Sequence, residues 1–221
     1  MFIRSTVDGL FSVFEWIMRL VFINMLWVVF TLVGLGIFGW APATAATFTV
    51  IRKMLLSRGE DVPIVRTFIQ TYRKEFMHAN TLGLLILFSI IILYLSGASM
   101  MLMGSSIFPK IILIGVAFLT CVILVFIFPV FCHYQLSIRN YIRYSLTIGV
   151  ANLHYFVLAM FSLFIISFVY SSLPVVMVFY CMSFPAFIIM YISLKMFNKI
   201  AKVKDSETNY RHEFQTNIST P

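Results

Sequence analysis

An all-α integral membrane protein, a bundle of five to six transmembrane helices, is the fold class the sequence predicts, and three observations predict it. First, 61% of the 221 residues are apolar and only 11% are charged, against about 45–50% and about 25% in soluble domains. One soluble core of this length would leave too little polar surface to face water. A content of 24 Phe and 10 Tyr equally excludes a solvated, disordered chain. Second, the apolar residues fall in long runs nearly free of charge, and about 20 such residues cross a hydrocarbon core of about 30 Å. Third, basic residues gather between alternate runs, the asymmetry that orients polytopic proteins. Residues 1–203 read as a single polytopic membrane domain, and the polar residues 204–221 as a flexible tail.

The first span is placed at 17–38. Glu15 and Arg19 stand four apart at its start, acid on the N-terminal side, so the pair neutralises itself at the membrane edge. Trp16 and Trp40 suit interfacial belt positions. Gly34, Gly36 and Gly39 supply a reversal, and Pro42 suits the first position of a second helix at 42–56. At about 22 Å this helix falls short of a full span. It reads either as a short, tilted sixth span or as a re-entrant helix inside the bundle. Its Ala and Thr residues permit close backbone approach, so Gly34, Gly36, Gly39, Pro42 and Ala45 are expected to carry the turn and the helix packing. Residues 63–78 predict an amphipathic helix: Ile64, Val65, Phe68, Ile69, Tyr72 and Phe76 recur at three- and four-residue spacing, with Arg66, Arg73 and Lys74 mainly opposite. Further spans follow at 82–103, 111–132, 146–170 and 173–194.

Charge assigns the sides. Loops 52–80 and 133–145 and the tail from Lys195 hold most of the Lys and Arg, which makes them, and the C-terminus, cytoplasmic. If helix 42–56 returns inward, the N-terminus is cytoplasmic too; with five spans it lies outside. The amphipathic helix then presents Arg66, Arg73 and Lys74 as a cytoplasmic surface toward an anionic inner leaflet. The net charge of +8 would suggest nucleic acid in a soluble protein, but here the basic residues flank apolar runs and orientation explains them.

Candidate chemistry is sparse. Gly34-Leu35-Gly36-Ile37-Phe38-Gly39 matches G-x-G-x-x-G literally but ends an apolar helix instead of following a strand. Cys121, Cys132 and Cys181 lie in apolar runs without a CxxC partner, and they read as small hydrophobes. No His pair has metal spacing, and no Asp or Glu falls within a central span, where a proton-coupled transporter usually keeps one. No Ser/His/Asp set, paired carboxylates or Walker loop is present. No catalytic residue, cofactor or metal is therefore expected, and the chain is not read as an enzyme.

Asn24-Met25-Leu26-Trp27, Phe38-Gly39-Trp40-Ala41-Pro42-Ala43-Thr44-Ala45-Ala46 and Ile51-Arg52-Lys53-Met54-Leu55 resemble the opening of the YesL family, also called DUF624. The stretch from Thr67 to Gly83 resembles the family's next block, so the likeness covers residues 15–95. The resemblance implies a small bacterial cell-membrane protein of unsettled activity, in a family often encoded beside sugar-uptake ABC transporters, their regulators and glycan-degrading enzymes. An accessory or regulatory role in carbohydrate uptake or sensing, with a sugar ABC transporter or sensor kinase as partner, is what it suggests. The competing expectation is a small-solute permease in its own right, built around the interrupted helix pair at 17–56.

Overall fold

The computed structural model describes residues 2–57, 62–103 and 107–219, with side chains for 13–57, 62–101, 107–202 and Ser206. Among the described residues the protein is all-helical: α1 (Phe2–Val33), α2 (Trp40–Leu56), α3 (Ile64–Lys74), α4 (Phe76–Met103), α5 (Ile107–His133), α6 (Ile138–Ala151), α7 (Leu153–Ser172), α8 (Pro174–Tyr180) and α9 (Ser183–Ser219). Among the described residues, five stretches are long and apolar enough to cross a membrane: Val13–Val33, Phe76–Met101, Ile107–His133, Leu153–Ser172 and Ser183–Lys202.

The core is built around the shortest member of the N-terminal pair. Eleven of the 17 residues of α2 are buried, including Ala41, Pro42, Ala43, Ala45, Ala46 and Thr47. α1, α3, α4, α5 and α9 all pack on it. Small side chains make that enclosure possible, because each lets a neighbouring backbone come close without a polar group being stranded in lipid. Larger side chains fill the perimeter: the Phe48 ring stacks on Phe128 at 5.9 Å, and Trp40 meets Phe128 edge-on at 6.2 Å. Gly83 of α4 lets α4 come close to α2, since a Cβ there would lie 2.5 Å from the Ala41 methyl.

Several boundaries differ from the sequence expectations. α1 stops at Val33 instead of 38, because Leu35 and Gly36 both take positive φ, 59° and 75°, and turn the chain. α2 starts at Trp40, which puts Pro42 in its third position, where the missing N–H still falls in the first turn. The helix expected over 63–78 is interrupted at Glu75, so α3 ends at Lys74 and α4 begins at Phe76, six residues before the expected start at 82. The span expected at 146–170 is in fact two helices meeting at Asn152. The Asn152 side-chain amide donates to the Ile148 carbonyl at 3.2 Å and its backbone N–H donates to the same oxygen at 3.0 Å, the local competition that makes Asn a helix stop. The run at 173–194 likewise divides at Cys181–Met182 into the seven-residue α8 and α9. Residues 204–219, expected to be a flexible tail, continue α9 to Ser219.

Asn24 of α1 explains how the second break is tolerated. Its side-chain amide donates to the Val178 carbonyl at 3.1 Å, and its carbonyl accepts from the Met182 and Ser183 N–H groups at 3.0 and 3.4 Å. One fully buried side chain thus satisfies backbone groups freed on both sides of the break between α8 and α9.

Candidate functional site

A polar cleft of about 620 Å³ lies between the last turns of α2, the α3–α4 junction and the α5–α6 connection. α2 contributes Thr49, Arg52 and Lys53; the junction contributes Gln70, Thr71, Lys74, Glu75 and His78. Phe131 to Leu136 and Tyr141 close the far side. The apolar spans ending at His133 and starting at Phe76 meet here, so the cleft sits where the chain passes from membrane-type to polar sequence.

Its electrostatics are one-sided. Arg52 is half-buried and its Nε–H donates to Nδ1 of His133 at 3.2 Å. That leaves the imidazole unprotonated at the accepting nitrogen, so the guanidinium charge is met by a neutral ring. The His133 ring is held between Tyr134 and Phe197, both with centroids 4.6 Å away. The carboxylate of Glu75 lies 3.8 Å from Lys74 and 3.8 Å from His78. Arg52, Lys53 and Lys74 against Glu75 leave the lining with an excess of positive charge. Cys132, a free thiol, donates to the Ala45 carbonyl at 3.4 Å and lies 3.3 Å from Thr49 Oγ1, so it is engaged in packing α5 on α2. A smaller, almost wholly apolar cavity of about 120 Å³ lies between α4, α5 and α6, lined by Leu82, Ile86 and Ile127 among others.

The residues expected to make the turn sit around Gly34–Gly39. A Cβ on Gly39 would lie 2.8 Å from Thr31 Cα and 2.9 Å from the Phe30 carbonyl, and one on Gly34 would lie 2.7 Å from the Tyr72 hydroxyl. Gly36 has open space but a φ of 75°. Pro42 and Ala45 are buried in α2, and Thr44 accepts from Trp27 Nε1 at 3.0 Å, tying α2 to α1. The residues expected as a basic surface divide. Arg73 is exposed on α3, Arg66 lines a shallow groove with Arg19, Phe22 and Pro63, and Lys74 lines the polar cleft. The apolar side of α3 rests on protein: Phe68 and Tyr72 are buried against Phe30, with centroids 5.2 and 4.9 Å away. The Tyr72 hydroxyl donates to the Phe30 carbonyl at 3.1 Å, and burial raises its pKa. Sequence reasoning did not single out Arg52, Lys53 or His133 as partners. Their available signal was position alone, each standing at the polar end of an apolar helix.

Bundle and cleft together define an all-helical protein with helices for several membrane passes and a basic cleft at their ends. The family described as "Protein of unknown function, DUF624" matches residues 20–96. Among curated proteins of Bacillus subtilis (strain 168), the chain is 39% identical to the uncharacterised YesV over 153 residues, 66% of this chain and 71% of that one. It is 39% identical to the uncharacterised YteU, covering 64% of each chain, and 33% identical to the uncharacterised YesL, covering 66% of this chain and 69% of that one. The chain belongs to the DUF624 family, to which YesL gives its other name. No solved structure matches it.

Proposed function

We propose that this protein is an accessory or regulatory membrane component that works beside a carbohydrate transporter or sensor, docking through its basic surface. The observation that carries the reading is the division of labour in α3. Phe68 and Tyr72 face the bundle while Arg66, Gln70 and Arg73 are exposed, so the helix is anchored by its apolar side and free on its basic side. A surface of that kind suits an acidic partner face. The same reading places the cell membrane as location, the C-terminus in the cytoplasm and no reaction chemistry in the chain. The permease alternative must route a solute past α2, and that helix fills the centre of the bundle.

Co-purification from mild detergent after native-level expression tests the role. A sugar-transporter or sensor-kinase subunit should accompany the wild type, and capture should fall on changing Arg66→Glu and Arg73→Glu together. Sugar uptake by vesicles holding the purified protein alone, or self-association with no such subunit present, would overturn it.

A further inference from the structure

The basic cleft has a use that docking through α3 does not require. Its volume of about 620 Å³ falls within the range of small-molecule sites, about 300–1,000 Å³. Its lining brings cations from separate elements to one concavity, Arg52 and Lys53 from α2 and Lys74 from the end of α3. Arg52 is the informative member. It is half-buried, and the partner its Nε finds is an imidazole nitrogen, not a carboxylate. The bond through Nε leaves both terminal amino groups to donate into the cleft. That planar pair suits two oxygens of one tetrahedral or planar anion. Glu75 answers one of the three cations at most, being shared with His78.

We infer that this cleft binds a phosphoryl group, with Arg52 as the anchoring donor and Lys53 and Lys74 as flanking charges. Three cations against one carboxylate leave two positive charges, which matches a phosphate close to its dianionic form. The position of the cleft, where the apolar stretches Phe76–Met101 and Ile107–His133 meet polar chain, makes two sources reachable: an anionic lipid headgroup or a phosphorylated solute.

The full chain in uncharged maltoside micelles separates these sources. One arm adds inorganic phosphate against chloride at equal ionic strength; the other adds phosphatidylglycerol against neutral diacylglycerol. Thermal unfolding should shift upward saturably in at least one arm, and that arm names the source. Arg52→Gln and Lys74→Gln should each weaken the apparent affinity roughly ten-fold, the scale of one lost charge-assisted contact. Lys195→Gln should leave it unchanged, since that ammonium lies over the Tyr191 ring, 4.5 Å from its centroid, and outside the cleft. If Arg52→Gln fails to fold, the exposed Lys53 and Lys74 carry the comparison. Absence of a saturable shift in both arms, or equal affinity in wild type and cleft variants, overturns the site. Neither result bears on whether a transporter subunit co-purifies.

Discussion

Ala43, Ala45, Ala46 and Thr47 of α2 have no exposed surface, whereas Ile107, Phe108, Ile112 and Ile114 at the start of α5 are 63–76% exposed. In a soluble protein those two sets would change places. Lipid tails are as apolar as an Ile side chain, so burying Ile112 gains nothing from desolvation, and the interior goes to residues that let helices touch. What distinguishes the centre of this bundle at α2 is therefore small size, with a paired polar side chain at Asn24, while Phe68, Phe126 and Met190 fill the rest of the interior. Apolarity marks only the chain segments that enter the membrane.

Breaking the tight side of that contrast should give the largest effect. Gly39→Val puts a branched side chain against the Thr31 and Phe30 backbone, and Ala45→Leu adds three carbons to a position with no exposed surface. Each should destabilise by about 3 kcal/mol or more, the upper range for overpacking. Ile112→Leu on the exposed side should stay within about 0.5 kcal/mol. Steady-state membrane level and thermal aggregation in detergent report both. Wild-type behaviour of Ala45→Leu would remove α2 from the core.

The polar half of the contrast is tested at Asn24. Leucine there would leave the Met182 N–H and Val178 carbonyl without the partner that Asn24 gives them. The expected loss is about 2 kcal/mol, measured by denaturant titration in micelles. A smaller loss would mean that the break between α8 and α9 finds water instead.

A matched glycine pair sharpens the comparison further. Gly83→Ala meets the Ala41 methyl and should cost about 1–2 kcal/mol. Gly115 of α5 has nothing within 4 Å of a built Cβ, so Gly115→Ala should be neutral or stabilise by up to about 1 kcal/mol through helix propensity. Equal effects at the two sites would show that helix propensity, and not proximity, governs both.

How far the sequence could be read follows from the same physics. Spans are visible because hydropathy tracks entry into lipid, and the reversal near Gly34–Gly39 is visible because glycines cluster there. α6 was hidden because its inward face is Tyr141, Ser145, Ile148 and Gly149, half of which no apolar periodicity would register. Packing of Gly149 beneath Val122 and Phe126 is a fact of the partner helix, not of the local sequence. The cleft was hidden for a related reason. Arg52 and His133 are 81 residues apart, and both looked like charge at the edge of a span, which is where orientation alone already places it.

The smallest effect has the opposite sign. The Thr47 hydroxyl is buried in α2 without a hydrogen-bond partner. Thr49, on the same helix, instead donates to the Ala45 carbonyl at 2.9 Å. A buried hydroxyl with no partner carries a desolvation cost, so Thr47→Val, which keeps the branched shape, should stabilise the protein by up to about 1 kcal/mol. Thr49→Val removes a formed bond and should destabilise by about 0.5–1 kcal/mol. If valine at 47 raises the unfolding midpoint while valine at 49 lowers it, α2 is selected for size at the first position and for bonding at the second. A loss at both positions would mean that the Thr47 hydroxyl has a partner in the membrane-embedded protein, and that the core is wetter than a close-packed helix bundle requires.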